Sequence, residues 1–346
     1  MPITLSMGHV DHYDERIARF ARQLGLTGVQ LHNPVNLDAA AGHWTAADVI
    51  ALRRRIEDDG LTLDGLENVP GDQFLPIIHG TPGRDRALEH YRATIAALGA
   101  AGVRLLGYNF LAGYVWRTEM RAEGRGGARV TGFDLDQALR HGNALDYAGL
   151  SPAGAYPELS AAELRANHEI FLDAVLPVAE EHGVRLSLHP DDPPVDTPLG
   201  GTARIFTSPE SLIDIADRYA DSPAWCLTLC LGTVSEMGGQ AAVDAVIDHL
   251  GPRGQLGYVH FRDVAGTVPT FSECFLGEGN LDPARTLRRL HRAGFSGFII
   301  DDHVPALDGD LDTWGDTSPE AYCSRGRAHA IGYLSGVLDA LDSERS

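Results

Sequence analysis

Four apolar runs in the second half of the chain each stop on a group able to bind a metal ion. "VRLSLHP" (184–190) reaches His189, "WCLTLCLG" (225–232) reaches Cys230, and "LGYVHFRD" (256–263) reaches His260. "GFIIDDH" (297–303) reaches the pair Asp301–Asp302, with His303 next. Each has an ordinary role when taken singly. A strand-end histidine satisfies a hydrogen bond, a buried cysteine packs as a small hydrophobe, and an aspartate turns the chain or caps a helix. Four successive runs ending alike point instead to one shared site. Two imidazoles, a thiolate and a carboxylate form a donor set for a divalent transition metal. Alternation along a strand puts Cys226 and Cys230 on one side, with Cys230 nearer the carboxyl end. His260 and Arg262 likewise share a side.

Directly after His189 the chain reads "DDPP" (191–194). Asp and Pro are common turn residues. The expectation is that His189 serves the ion while Asp191 and Asp192 accept hydrogen bonds from the turn or from a substrate hydroxyl. Pro193 and Pro194 would stiffen the loop.

These groups need a frame that brings strand ends together. Four earlier runs complete the set: "ITLSMG" (3–8), "GVQLHN" (28–33), "LTLDGLEN" (61–68) and "VRLLGYNF" (103–110). Between the eight lie amphipathic stretches such as "DERIARFARQLG" and "ELRANHEIFLDAVLPVAEEHG", with helical spacing of apolar residues and a closing glycine. Eight strands, each followed by a helix, predict an α/β fold: a single (β/α)8 barrel over residues 1–346. A doubly wound open sheet is the alternative, and the lack of a GxGxxG after the first strand weakens its dinucleotide-binding version. A bare barrel needs about 250 residues. The surplus falls mainly in 111–160 and 264–281, after the fourth and seventh strands, on the face where barrel enzymes keep their chemistry. Within the first insertion, "EGRGGARV" reads as a loop that closes over substrate.

Composition narrows the partners. With 28 basic and 48 acidic residues the formal net charge is −20, a field that repels phosphate backbones and argues against nucleic acid. No run of about 18 apolar residues is present, so no membrane-spanning helix is expected. The start "MPITLSMGHVDHYDERIARF" lacks the features of a signal peptide. The four cysteines form no CxxC pair, which suits reduced thiols and a cytoplasmic setting. Barrels of this size often assemble, so a homo-oligomer is in view.

The motifs carry a resemblance as well. "LHPDDPP" (188–194), "ENVP" (67–70), "AGVRLLGYNF" (101–110), "WRT" (116–118), "GRGGARVTGFD" (124–134), "TLCLGTVSEMGG" (228–239), "VHFRDV" (259–264), "FSE" (271–273), "DDHVP" (301–305) and "AIGYLSG" (330–336) occur in consistent order. Together they resemble the mannonate dehydratases, from about residue 28 to residue 342. That resemblance implies a sugar-isomerase type of barrel and a divalent ion, usually Mn²⁺, held by His189, Cys230, His260 and Asp302. A thiolate ligand also suits Fe²⁺, Co²⁺ or Zn²⁺.

The implied reaction is loss of water from D-mannonate to give 2-keto-3-deoxy-D-gluconate. It requires removal of the C2 proton and departure of the C3 hydroxyl, the work of a general base and a general acid. By the same resemblance His303 fits the catalytic histidine and Tyr322 aligns with a catalytic tyrosine, although another alignment puts Ala328 there. Arg117 and Arg262 would neutralise the carboxylate of a small anionic sugar acid, or serve as structural ion pairs. His32, Asn109 and Asp192 would contact substrate. Departures from the family pattern fall at "LHNP", where Asn33 replaces a second histidine, and in "GDQFLPIIHGTPGR", which lacks a lysine. A metal-dependent sugar isomerase or epimerase, or a non-catalytic sugar-acid-binding protein on the same barrel, is the competing reading.

Overall fold

Every one of the eight apolar runs is a strand, within one or two residues of its expected ends. In the computed structural model, which describes residues 3–111, 115–141, 145–146, 158–310 and 322–343, they are β1 (Thr4–Val10), β2 (Gly28–His32), β3 (Thr62–Glu67), β4 (Leu105–Asn109), β9 (Arg185–His189), β10 (Trp225–Cys230), β11 (Leu256–Phe261) and β14 (Phe298–Asp301). They pair in parallel and close into a barrel in the order β1-β14-β11-β10-β9-β4-β3-β2. Closure excludes the open-sheet alternative.

Alternation sorts the side chains. Leu186, Leu188, Leu227, Leu229, Val259, Phe261 and Ile299 belong to the large buried cluster that also contains the helical residues Leu164, Leu172, Val243, Val246 and Leu287. Their strand neighbours Ser187, His189, Cys226, Thr228, Cys230, Tyr258 and His260 take the opposite face, inside the barrel. The connecting helices start on side-chain caps. Asp14 accepts from the Ile17 amide, Thr45 from Asp48, and Ser160 forms a reciprocal pair with Glu163 ahead of the helix Ala161–His182. That helix stops where Gly183 turns left-handed at φ 63°.

The two insertions meet. β6 (Glu119–Glu123) and β7 (Arg129–Asp134) come from the first, while β12 (Asp263–Thr267) and β13 (Thr270–Cys274) come from the second. They form one antiparallel sheet in the order β12-β13-β7-β6, with Phe271 opposite Phe133. A two-residue strand β5 (Trp116–Arg117) pairs with β8 (Leu145–Asp146) beside it. The "EGRGGARV" segment forms the end of a hairpin. Gly126 (φ 63°) and Gly127 (φ 85°) supply the left-handed turn, and Arg125 lies 3.9 Å over the Phe275 ring and pairs with Glu278. Among the described residues, no helix is long and apolar enough to cross a membrane.

Candidate active site

The carboxyl ends of β9, β10 and β11 bring three buried donors together. One ligand atom each from His189, Cys230 and His260 lies within 4.8 Å of the others. Register explains part of this: Cys230 and His260 are partners on adjacent parallel strands, so their side chains leave the sheet side by side. His189 Nδ1 is 2.7 Å from its neighbour's carbonyl, Pro190 O. That contact fixes Nδ1 as the donor and leaves Nε2 the metal-competent nitrogen. Burial pushes the Cys230 thiol up, but Arg262 and the imidazoles of His189 and His260 outweigh it and hold the thiol well below its ordinary value. A ready thiolate between two imidazoles is a donor set that fits a divalent ion.

Asp302, one residue beyond the eighth barrel strand, stands against two of these donors. Its Oδ2 is 3.9 Å from Cys230 Sγ and 3.7 Å from His260 Nδ1. β14 ends one residue earlier, and His303 adopts φ 39°. In a continuing strand Asp302 and His303 would face opposite ways. The left-handed residue turns the chain back, so His303 Nε2 lies 3.8 Å from Asp302 Oδ1. His9, Asn33 and Asn68 are also left-handed, at φ 48°, 44° and 56°, at or just beyond the ends of β1, β2 and β3. Four neighbouring staves thus carry unusual backbone at one rim, where such conformations serve to aim side chains.

Behind the donors sits a residue the sequence reading did not single out. Glu67, at the end of β3, reaches across the barrel to His260 Nε2 at 3.2 Å and accepts from Tyr258 Oη at 2.6 Å and Gln30 Nε2 at 3.0 Å. Burial opposes its charge, yet His260 and His32 hold its carboxyl well below the usual range. A carboxylate behind a ligating imidazole orients the ring and raises its basicity. Gly107 makes room: a Cβ there would lie 2.4 Å from Tyr258 Oη and 2.9 Å from Glu67 Cγ. The available signal was "ENVP", matched as a motif without a role.

Arg117 and Arg262 are both buried and both engaged. Arg117 grips Asp192 with two bonds of 2.6 and 3.0 Å and reaches Glu273 at 2.9 Å. Arg262 contacts Asp192 at 2.5 Å, Glu236 and Glu273 at 2.8 Å, and Asp302 at 3.2 Å. All of these contacts are ion pairs with carboxylates of the protein itself. Asp192 sits on guanidinium groups rather than on the turn, and burial notwithstanding, Arg117 and Arg262 hold its carboxyl far below the usual range. Asp191 serves the loop: its Oδ2 accepts from the Ile205 and Phe206 amides at 2.5 and 3.0 Å. Glu236 and Glu273 were not anticipated as members of this cluster.

Tyr322 donates to Asp302 Oδ1 at 2.8 Å and stacks on His9, with ring centroids 4.0 Å apart and planes 4° from parallel. His303 meets Tyr322 edge to face at 5.7 Å. His32 lies 4.3 Å from His9, and its Nε2 is 3.3 Å from Asn68 Nδ2. Asn109 is the register partner of His189. The buried atoms His9 Nδ1 and Asn109 Oδ1 have no hydrogen-bond partner among the described residues. One half of the rim therefore offers metal donors and the other half offers imidazoles, an amide and a phenol.

A closed parallel barrel with a buried, metal-competent cluster at its carboxyl rim defines an enzyme of the barrel class. Within that class the chain belongs to the D-mannonate dehydratase family, whose model, described as D-mannonate dehydratase (UxuA), matches residues 15–145 and 151–346. It is 31% identical over 324 residues to Mannonate dehydratase 2 of Halalkalibacterium halodurans, covering 88% of this chain and 90% of that protein. It is 28% identical over 349 residues to the Mannonate dehydratase of Geobacillus thermodenitrificans, covering 93% and 89%. The crystal structure of mannonate dehydratase from Streptococcus suis serotype2 superposes with a TM-score of 0.81 at 25% identity, covering 98% and 95% of the two chains. The family is one of hydro-lyases, and this chain is an enzyme of that kind.

Proposed function

We propose that the enzyme dehydrates D-mannonate, or a closely related sugar acid, to the 2-keto-3-deoxy acid, using a divalent ion held by His189, Cys230, His260 and Asp302. The observation that carries this reading is the convergence of His189, Cys230 and His260, with Asp302 against the last two and beside His303 and Tyr322, in a chain of this family. When bound there, the ion supplies positive charge against the substrate's carboxylate and adjacent hydroxyl. The protein supplies the rest. His303 moves the proton at Nε2, facing the rim. The Tyr322 hydroxyl, donating to Asp302, fixes that carboxylate and lies against the same space. His32, Asn109 and His9 bind sugar hydroxyls through polar atoms that are otherwise buried. Arg117 and Arg262 act through the carboxylates they hold. Mn²⁺ is the expected metal, and Fe²⁺, Co²⁺ and Zn²⁺ suit the same donors.

The test is turnover of purified protein on a panel of aldonic acids headed by D-mannonate, with Mn²⁺, Fe²⁺ or Co²⁺, read by a colorimetric keto-acid assay. The expected outcome is metal-dependent formation of a 2-keto-3-deoxy acid. No product from any aldonate with any of the metals refutes the reading.

A further inference from the structure

The insertion after the seventh barrel strand delivers a carboxylate to the back of His303. Glu273, on β13, is buried, and its Oε1 lies 3.0 Å from His303 Nδ1. The same oxygen accepts from Arg117 at 2.9 Å and Arg262 at 2.8 Å. Arg117 NH2 approaches His303 Nδ1 at 3.4 Å, a longer contact. Guanidinium groups only donate, and an ionised carboxylate only accepts. The 3.0 Å contact makes Nδ1 the donor to Glu273, and the competing guanidinium contact, which would make Nδ1 an acceptor, is the longer of the two. The other ring nitrogen is the one toward Asp302, at 3.8 Å.

We propose that Glu273 is a positioning residue that locks His303 as the Nδ1–H tautomer, leaving Nε2 as the atom that exchanges a proton with substrate. Orientation of an imidazole by a carboxylate behind it is a general device. In this enzyme the carboxylate is brought by the accessory sheet and not by a barrel strand. Arg117 comes from β5 in the other insertion, so both insertions converge on one oxygen of Glu273. The backbone adds a second constraint, since the left-handed φ of 39° at His303 aims the ring back over Asp302. The role given to Nε2 rests on the proposed dehydration, whereas the tautomer does not.

The experiment has two parts. In protein labelled with ¹⁵N-histidine and loaded with diamagnetic Zn²⁺, the ring nitrogen shifts of His303 report its tautomer, and the His303→Asn variant supplies the assignment. Wild type is expected to show a protonated Nδ1 and a bare Nε2. Glu273→Gln, whose amide can donate to Nδ1, is expected to move the ring toward Nε2–H. A wild-type ring protonated at Nε2 alone overturns the proposal. The second part is a double-mutant cycle in turnover. Glu273→Gln is expected to lower kcat by about 10²–10⁴-fold, the scale of a wrong-tautomer histidine, with KM within about threefold. In the His303→Asn background the same substitution is expected to change kcat by less than about twofold, because its route of action is already gone. Equal losses in both backgrounds overturn the proposal, since Glu273 would then act on the fold. If no aldonate is turned over, the dehydratase reading fails while the tautomer still decides this one.

Discussion

Replacing Arg117 by methionine tests the charge cluster under the active site. The side chain is fully buried and makes three bonds to two carboxylates. Methionine roughly fills its volume but removes one of the two guanidinium groups bonded to the Asp192 and Glu273 carboxylates among the described residues, leaving Arg262. Removing one partner of a buried ion pair costs about 3–5 kcal/mol, mostly as the penalty of the stranded charge. At about 2.1 cal/mol/K per residue, unfolding 346 residues carries an entropy of about 0.7 kcal/mol/K. The melting temperature should then fall by about 4–7 °C. Calorimetry at pH 7 on Arg117→Met, Asp192→Asn and the double variant measures it. Removing both charges strands fewer of them, so the double variant should lose at least about 1.5 kcal/mol less than the sum of the singles. The pH dependence has a definite sign. The folded Asp192 carboxyl lies below its ordinary value, so its contribution is present above about pH 4 and is lost as pH falls further. The gap between wild type and Arg117→Met should narrow in that acid range. A melting temperature within 1 °C of wild type (about 0.7 kcal/mol), or strict additivity with Asp192→Asn, would refute the reasoning.

Three further outcomes follow from other parts of the structure. Glu67→Gln should weaken divalent metal binding by about 10–100-fold through His260, read by titration with a metal indicator; unchanged affinity would remove Glu67 from the site. Cys230→Ala should lower metal content on elemental analysis, whereas His303→Asn should keep the metal and lose turnover; equal loss of metal in both would undo that division of roles. His168 is buried against Phe110 and Phe206 and bonds Tyr108 at 3.2 Å, and burial pushes its pKa down to about 3. The unfolded chain binds this proton below about pH 6.5 and the native chain does not, so stability falls as pH drops from there toward 3. His168→Phe should flatten the melting-temperature slope between pH 6.5 and 5, and an unchanged slope would show that His168 already protonates in the folded state.

Local pattern determined a great deal here. Runs such as "RLSLH" and "WCLTLC" alternate outward-packing leucines with inward polar groups, and that period of two is a property of the extended backbone, readable residue by residue. The barrel followed from eight such runs separated by capped helices, and His189, Cys230 and His260 from their shared position at the run ends. The hairpin at 119–134 was less legible, because glycine and arginine mark a loop and a tight turn alike, and its pairing strands lie in another insertion.

What the tertiary structure alone decided are the partners across the chain. Arg117 meets Asp192 and Glu273 at separations of 75 and 156 residues, and Tyr258 meets Glu67 at 191. No spacing rule reaches that far, because those contacts depend on how the barrel closes and where its two insertions meet. The same holds for Asp302 and His303: adjacent strand residues should diverge, and one left-handed φ, a backbone choice that residue types do not encode, turns both toward the same rim.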